Sequence, residues 1–471
     1  MAKQATKYED VSAEPVKSFF VEMLTRDISL SDAILDLLDN CVDGILRMKK
    51  GRAAGKQPYK GYCAEINYNK DEFEIADNCG GIPWELHDRA FRLGPADPER
   101  SRGAPTVGVY GIGMKRAIFK IGQHSLIQTQ HIKDSYDVEI KPSWLKDEKN
   151  WLIPVKTSKT NMSEDGTTIL ISELYDGVKS LFGDNRALFD KDFKTKVAKH
   201  YAFIINKGFE VKVNGDVIKP RPTELRFEGG EGKTAIRPFI YETEVDGVEV
   251  FLAVGFTHPI LSQDDIEAEQ EQIQRSSLDA GWTVVCNDRA VLYCDRTELT
   301  GWGEAGVPKY HTQFIAISGI VEFRSNDASK LPTTTTKRGI EASSRLYLQV
   351  KNKMREGLSM FTDFTNKWKG RELAKEAKDR IERAKPQTFQ KLKEISAELS
   401  MRAVSTGYKG RQYKPRLPMP PKGERNHQLI SFVKYTKDIR DVSDYFFGDS
   451  NVDPSRVGSK CFDVVLKEAR K

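Results

Sequence analysis

The sequence predicts an α/β protein with more than one domain, and three observations lead to this prediction. Two glycine clusters, at 77–82 and 108–115, each lie where a strand or loop is expected to meet a helix. Upstream of them, carboxylate and amide side chains recur over residues 36–43, within an expected helix whose other residues are mostly apolar. Between 176 and 345, short strands that end in hairpin turns alternate with helical stretches. Strands and helices that alternate in this way are typical of the α/β class.

The composition is ordinary for a globular protein. With 471 residues, 39% of them hydrophobic and 30% charged, the chain should hold roughly two to four domains. No stretch approaches the roughly 18 consecutive apolar residues of a membrane helix, and the N-terminus lacks the apolar segment of a signal peptide. We therefore expect a cytoplasmic protein that has no membrane partner.

The cysteines and the net charge limit which metal sites, disulfides and partners we expect. The 6 cysteines show neither paired metal-ligand spacing nor the density of a disulfide scaffold, which fits a reducing compartment and disfavours a structural zinc. The net charge of +6 is small for this length, so it permits a nucleic-acid partner without requiring one.

The helix expected from residue 31 to 48 carries a polar stripe. Asp36, Asn40 and Asp43 are spaced i, i+4 and i+7, so they lie along one narrow face of a helix whose other faces are apolar. Buried carboxylates require a compensating cation or hydrogen bonds. A magnesium ion carried by nucleotide phosphates would supply one, with Asn40 as metal ligand and Asp36 placed to orient or deprotonate a water. The alternative is that the stripe faces solvent.

The first glycine cluster follows a strand that ends near Asp77. Residues 78–81 turn tightly enough to require residues that tolerate positive φ, which leaves Asp77 at the edge of a pocket. A carboxylate there can accept the exocyclic amino hydrogen of adenine, which guanine does not present at the same place. Adenine is therefore the favoured base.

The second glycine cluster predicts a phosphate-binding loop. Gly108, Gly111 and Gly113 let the backbone approach phosphates closely. The helix expected from Met114 directs its free N–H groups towards them, and Lys115 adds a positive charge. The spacing is not that of the GxxxxGK[ST] loop, because Lys115 is not followed by Ser or Thr. The alternative for such a pattern is a simple turn.

These three elements, with Asp-Gly-Thr-Thr-Ile-Leu at 165–170 as a fourth, resemble the four boxes of the GHKL ATPases. That superfamily includes gyrase B, MutL, MORC proteins, histidine kinases and the ninety-kilodalton heat-shock chaperone. The order and spacing correspond over residues 15–175, and the MORC and MutL branches are the most similar in style. The resemblance implies a two-layer α/β (Bergerat) sandwich with a mixed sheet under helices, ATP bound through magnesium, and a mobile lid over 93–109.

The resemblance also implies a role for each matching residue. Asp36 corresponds to the general base, Asn40 to the magnesium ligand and Asp77 to the residue that binds adenine. Gly81 corresponds to the glycine that lets the backbone approach the nucleotide closely. The residues that contact the phosphates correspond to Gly111, Gly113 and Lys115. Thr167 corresponds to the threonine near the adenine base.

Two positions depart from the pattern of the superfamily. The base is usually Glu, and Asp36 is one methylene shorter, so its water must lie closer and slow turnover is expected. The first glycine of the second box is replaced by Cys79 with Gly80 beside it. This replacement shifts the flexible point by one residue, and we expect nucleotide binding to remain intact.

We expect five parts along the chain. They are a GHKL ATP-binding domain over 1–175, an S5-like transducer α/β domain over 176–345, a charged helical segment over 346–407, a basic Pro-rich linker over 408–425 and a small helical unit over 426–471. The transducer follows from the resemblance to the MutL and MORC branches, where that domain sends a lysine to the γ-phosphate. Lys337 stands at about the expected position, with Arg338 as substitute. The alternative is that Lys337 is an ordinary surface charge.

The last two parts suggest partners. The linker interleaves cations with aromatic residues and prolines, and it could bind a nucleic-acid backbone by counterion release and stacking. The alternative is a plain linker stiffened by proline. The unit over 426–471 has enough apolar residues to dock on another domain or on a partner protein.

The expected function is an Mg-dependent ATPase that acts as an ATP-gated clamp or switch. ATP closes the lid, Lys337 draws the transducer onto the γ-phosphate, two protomers associate as a homodimer, and hydrolysis resets the assembly. Asp36→Asn should abolish phosphate release and leave ATP affinity near wild type. The resemblance implies a DNA client or a DNA-bound assembly, and genome defence is conceivable.

Three alternatives remain open to different degrees. They are a chaperone-like ATPase that acts on protein clients, a nucleotide switch with very slow hydrolysis, and a histidine kinase. The kinase is disfavoured because no candidate phosphoacceptor helix or membrane sensor precedes the ATPase region. The shorter base Asp36 keeps the slow switch open.

Overall fold

The structure is a computed structural model that describes most of the chain. The described residues are 16–49, 55–92, 112–158, 162–221, 223–230, 234–260, 279–334, 339–368, 371–404, 409–420 and 430–471. The chain divides into two compact units, Met1–Met419 and Pro420–Lys471. None of the described helices is long and apolar enough to span a membrane.

An eight-stranded mixed sheet forms the first layer of the larger unit. Its strands are β1 (Cys63–Tyr68), β2 (Glu72–Asp77), β3 (Gly122–His131), β4 (Asp134–Ile140), β5 (Val155–Thr157), β6 (Gly166–Leu174), β7 (Glu210–Val213) and β8 (Asp216–Val217). Their order across the sheet is β5-β4-β3-β6-β2-β1-β7-β8. The β1 and β7 pair is parallel, and the other neighbours are antiparallel.

Helices provide the second layer. They are α1 (Lys17–Arg26), α2 (Leu30–Met48), α3 (His87–Phe91), α4 (Gly113–Ile121), α5 (Pro142–Lys146), α6 (Asp176–Phe182), α7 (Arg186–His200) and α8 (Ala202–Asn206). Helix α4 packs against both α1 and α2.

The two layers share one apolar core. Leu38 of α2 and Ile118 of α4 belong to the same cluster as the strand residues Ile66, Ile75 and Ile127. All five side chains are buried. This arrangement of helices over a mixed sheet confirms the predicted α/β sandwich.

The polar-striped helix forms as expected from its sequence. It begins at Leu30, and the Ser29 side chain caps it by accepting a hydrogen bond from the backbone N–H of Asp32 at 3.1 Å. Nearly every residue from Leu30 to Leu46 is buried. The apolar residues surround most of the helix, so the structure confirms a mostly buried helix over this range.

The first sheet continues beyond residue 175, where the ATP-binding domain was expected to end. Strands β7 and β8 lie at 210–217, and β7 pairs with β1 in parallel. A parallel pair requires a crossover connection, which α6, α7 and α8 provide. The periodicity of the sequence does not reveal which strand β7 pairs with, so this boundary differs from the expected one.

A second mixed sheet lies in the same unit. Its strands are β10 (Phe239–Val245), β11 (Val248–Phe256), β12 (Gly281–Cys286), β13 (Arg289–Asp295), β14 (Ile317–Ser325), β16 (Arg402–Val404) and β17 (Gly410–Tyr413), and a separate pair is formed by β9 (Glu224–Phe227) and β15 (Lys385–Thr388). The order across the sheet is β13-β12-β14-β11-β10-β17-β16, with β12 and β14 parallel. This sheet supports a second α/β domain after the first.

The helices that follow this sheet are α9 (Arg345–Lys367), α10 (Arg371–Arg383) and α11 (Phe389–Ser396), and short 3-10 turns lie at Trp84–Leu86, Glu298–Thr300, Thr312–Phe314 and Ala328–Lys330. Helix α9 packs on β10, β11 and β14. Its apolar face consists of Tyr347, Val350, Met354, Leu358 and Phe361. The expected charged segment over 346–407 is therefore part of the second core, because these apolar residues recur at helical spacing among the charges.

The linker expected over 408–425 also differs from the structure in its first part. Gly410–Tyr413 is strand β17, which pairs with β10 and β16. A side chain at Gly410 would place its Cβ 2.4 Å from the carbonyl oxygen of Glu242, so the strand can lie here only because this residue is glycine.

The smaller unit contains two helices, α12 (Thr436–Phe447) and α13 (Pro454–Ala469), which pack against each other. Ser443 and Val457 are buried between them. Many of its other apolar side chains, among them Val433 and Val465, are exposed.

Candidate active site

The polar stripe of α2 opens to solvent at one point. Asp36 and Asp43 are buried, whereas Asn40 is exposed in a run from Ala33 to Leu46 that is otherwise buried. Over the rest of α2, Arg47 in the last turn is exposed as well. Asn40 therefore presents its side-chain amide at the surface, one turn from the Asp36 carboxylate.

The start of α4 lies against Asp36. A Cβ at Gly113 would lie 3.3 Å from Cβ and 3.5 Å from Oδ2 of Asp36, so the glycine permits this close approach. In the first turn of α4, Arg116 forms a salt bridge with Asp36 Oδ2. The sequence interpretation missed Arg116, although a second cation directly after Lys115 was its visible signal.

Lys115 occupies a different position from the one expected of a phosphate contact. Its Nζ donates a hydrogen bond to the carbonyl oxygen of Ala90 in α3 at 2.8 Å, and its side chain is buried. Burial lowers the pKa of Lys115 to about 8, because the charged ammonium is less well solvated there. The structure thus places the amine against α3, and a role at the phosphates remains a prediction.

Asp77 lies at the end of β2 with hydrogen-bond donors around it. Its Oδ1 accepts from the backbone N–H of Cys79 at 2.7 Å, and its Oδ2 accepts from the thiol of Cys41 at 3.4 Å. Burial raises the pKa of Asp77 to about 6, and these hydrogen bonds partly offset that effect. Cys41 belongs to α2, so one helix contacts both Asp77 and the start of α4.

Thr167, the threonine expected near the adenine base, lies beside Asp77, and its role remains a prediction. Thr167 faces Asp77 across the β2 and β6 pair. Its Oγ1 lies 3.1 Å from Oγ1 of Thr129, which accepts a hydrogen bond from the backbone N–H of Ile82 at 2.8 Å. Thr129 on β3 was not found from the sequence, because its place beside this turn depends on the order of the strands.

Gly81 is required by the protein backbone. It adopts φ 61°, and a Cβ there would lie 1.9 Å from the carbonyl oxygen of Gln130 in β3. The side chain of Arg47 donates a hydrogen bond to the carbonyl oxygen of Gly81 at 2.7 Å. Positive φ and close backbone contact both require glycine, so any larger residue would displace this turn.

Several expected site residues lie outside the described residues. They are Gly108, Gly111, the lid over 93–109, Lys337 and Arg338. Their roles remain predictions. Residues on either side of Lys337 and Arg338 are described, and there the backbone N–H of Thr334 donates to the carbonyl oxygen of Gly339 at 3.1 Å.

The donor set fits a magnesium ion that arrives with phosphate. The exposed side-chain amide of Asn40 offers the kind of oxygen ligand that this hard cation prefers. Within the described ranges, no group of three or more His, Cys, Asp or Glu side chains is arranged to hold a metal ion. Magnesium commonly takes one or two protein oxygens and completes its shell with substrate phosphates and water.

The partly buried carboxyl of Asp77 predicts a pH dependence of stability. Its folded pKa of about 6 exceeds the usual 3.8, so the folded state holds its proton more tightly, and the free energy of unfolding should fall as pH rises through this window. A shift of this size corresponds to about 3 kcal/mol over the whole titration, of which about 2 kcal/mol is lost above about pH 4.5. In the Asp77→Asn variant, the free energy of unfolding should not fall in this way as pH rises. Urea unfolding of both nucleotide-free proteins from about pH 4.5 to about pH 7.5 measures it, and parallel profiles would contradict the prediction.

A comparison with known protein families agrees with this geometry. Residues 28–167 match the family described as histidine kinase-, DNA gyrase B-, and HSP90-like ATPase. The matched stretch is less than a third of the chain, and it contains Asp36, Asn40, Asp77 and Thr167. No match was found among curated proteins. Residues 28–167 of this chain are therefore similar to the GHKL ATPases, and this similarity supports ATP binding by that part of the chain.

Proposed function

We propose that the protein hydrolyses ATP at the site built on α2 and uses the nucleotide to switch conformation. One observation carries this proposal. Helix α2 places Asp36 at the start of α4 and, five residues later, places Cys41 in contact with Asp77. The proposed phosphate-binding end and the proposed adenine-binding end of the site thus both contact one helix.

The roles of the residues follow from this layout. Asp77 accepts the amino hydrogen of adenine, and the free N–H groups at the start of α4 bind phosphate oxygens. Asn40 holds the magnesium ion together with the phosphates. When bound, that ion neutralises the charge that develops on the phosphate oxygens.

Asp36 is the proposed general base. Water attacks the γ-phosphorus, the bond from that phosphorus to the bridging oxygen breaks, and ADP leaves with the bond electrons. The water proton passes to the Asp36 carboxylate and then to solvent, so the products are ADP, phosphate and a proton. Because Asp is shorter than the usual Glu, we expect slow turnover.

We propose that the conformational switch is an ATP-dependent homodimeric clamp with a DNA client. The net charge of +6 permits this client without requiring it. The basic stretch after residue 408 supports it less than the sequence suggested, because Arg411 and Lys414 form salt bridges with Glu242 and Glu356. Their charge is partly compensated within the protein.

The proposal is tested by magnesium-dependent ATP hydrolysis with and without duplex DNA. Mass in solution is followed in parallel with a non-hydrolysable ATP analogue. We expect slow turnover that DNA stimulates, and dimers that form with the analogue. The Asp77→Asn protein, purified in the same way, controls for contaminating ATPases.

Other outcomes would redirect the proposal. Turnover that DNA leaves unchanged would favour the chaperone-like alternative with a protein client. Nucleotide binding without measurable turnover would favour the slow switch. A protein that binds no nucleotide would contradict the proposed activity altogether.

A further inference from the structure

The proposed base is engaged in an ion pair in this structure. Arg116 binds Asp36 Oδ2, and the side chains of the two residues are 10% and 3% exposed. A carboxylate that neutralises a buried guanidinium is held by a strong, charge-assisted hydrogen bond. Oδ2 of Asp36 is therefore engaged by Arg116, and it becomes available to a water only after this pair has loosened.

Arg116 retains capacity to bind a further anion. A guanidinium carries five N–H donors. Its Nε is buried, and no acceptor among the described residues lies within hydrogen-bond reach. A buried donor without a partner is unfavourable, and an additional acceptor near it would relieve that penalty.

The position of Arg116 indicates what that acceptor is. It lies in the first turn of α4, where the helix dipole and the free N–H groups favour an anion. Gly113, at the start of the same helix, closely approaches Asp36. The guanidinium therefore contacts the proposed base and belongs to the helix whose start is the proposed phosphate site, and its planar fork suits phosphate oxygens.

We propose that Arg116 is a positioning residue that exchanges the Asp36 carboxylate for phosphate oxygens when ATP binds. Asp36 is then released to orient water only in the nucleotide-bound protein. Lys115, the cation favoured by the sequence, instead donates to Ala90. This inference rests on the proposed ATPase function of the site.

The exchange predicts whether the substitution Asp36→Asn strengthens or weakens ATP binding. If Asp36 and ATP compete for Arg116, Asp36→Asn should tighten ATP binding by about tenfold, the size of a modest charge-pair coupling. The sequence alone led us to expect an unchanged affinity, because it did not reveal the ion pair. Arg116→Gln should weaken ATP binding by about tenfold.

The decisive measurement is a double-mutant cycle. Binding of a non-hydrolysable ATP analogue with magnesium is measured by calorimetry for the wild type, Asp36→Asn, Arg116→Gln and the double variant. We expect Asp36→Asn to tighten binding only where Arg116 is present. Adenosine, which has no phosphates, should show no such coupling. Asp43→Asn removes another buried carboxylate of α2 and controls for general charge repulsion.

The outcomes distinguish a failure of the Arg116 exchange from a failure of the proposed ATPase function. If the wild type binds the analogue but the two substitutions act additively, the exchange is overturned and the ATPase proposal stands. If the wild type binds no nucleotide, both are overturned. Thermal melts establish that each variant is folded. Should Arg116→Gln not fold, Arg116→Lys keeps the charge without the fork, and the same coupling should appear at reduced size.

Discussion

Asp36→Asn is expected to lower the rate of ATP hydrolysis roughly one hundred- to ten thousand-fold, which is the usual contribution of a positioned general base. Asparagine preserves the shape of the side chain but cannot accept the proton of the attacking water. Asp36 is the carboxylate at the start of α4, beside Gly113 and Arg116. Phosphate release at saturating ATP and magnesium measures the effect on the chemical step.

The control for this prediction is another buried carboxylate on the same helix. Asp43→Asn changes the charge of α2 equally, but Asp43 lies two turns away from Asp36. We expect its turnover to stay within about tenfold of the wild type, since a general charge effect is smaller than the loss of a base. Undiminished turnover in Asp36→Asn would show that another group activates the water.

Arg289→Ala is expected to destabilise the folded protein by about 3 to 5 kcal/mol, because it breaks a buried ion pair from one side. Arg289 Nε lies 2.9 Å from Asp39 Oδ1, and both side chains are almost fully buried. The guanidinium also lies 4.4 Å from the ring centroid of Tyr201 and donates to the carbonyl oxygen of His200 at 3.3 Å. Chemical denaturation, with each transition fitted separately, measures the loss.

Arg355→Ala provides the matched control. Arg355 pairs with Glu304 at 3.1 Å, but both side chains are partly exposed, so its removal should change the free energy of unfolding by less than about 1 kcal/mol. A double variant, Asp39→Leu with Arg289→Met, should recover part of the stability, since two apolar side chains can replace a buried pair. Equal effects of Arg289→Ala and Arg355→Ala would contradict this account.

The same ion pair joins helix α2 to the second sheet. Asp39 lies on α2 between Asp36 and Asn40, whereas Arg289 begins β13 of the second sheet. The residue before it, Asp288, accepts hydrogen bonds from Tyr59 at 2.9 Å and Lys207 at 2.5 Å. A loss of stability in Arg289→Ala would therefore include loss of the contact between α2 and the second sheet.

Local features were predictable because their cause lies in neighbouring residues. The apolar spacing and the Ser29 cap define α2 through residues within the helix or next to it, whatever the rest of the chain does. The tight turn after Asp77 needs positive φ at Gly80 and Gly81, which the structure has. The α/β class followed from these elements, and the match over 28–167 agrees with it.

Other expectations failed where a local pattern had two interpretations. The region over 346–407 contains both charges and an apolar stripe, and the charges were given more weight than residues such as Leu358 and Phe361, which are buried in the core. The stretch over 408–425 was expected to be a linker because of its prolines, yet β17 precedes them and pairs with β10. A strand of four residues has too few positions for its pattern to identify it.

The identity of the chemical groups in the site was encoded in the order of residues, and their partners were decided by the fold. Asp36, Asn40 and Asp77 were recognisable because a helix and a turn hold them at a set spacing. The contacts of Asp36 with Arg116 and of Asp39 with Arg289 join residues 80 and 250 positions apart. Such pairs form only when packed elements meet, because a side chain's hydrogen-bond partner depends on which surfaces the core brings together.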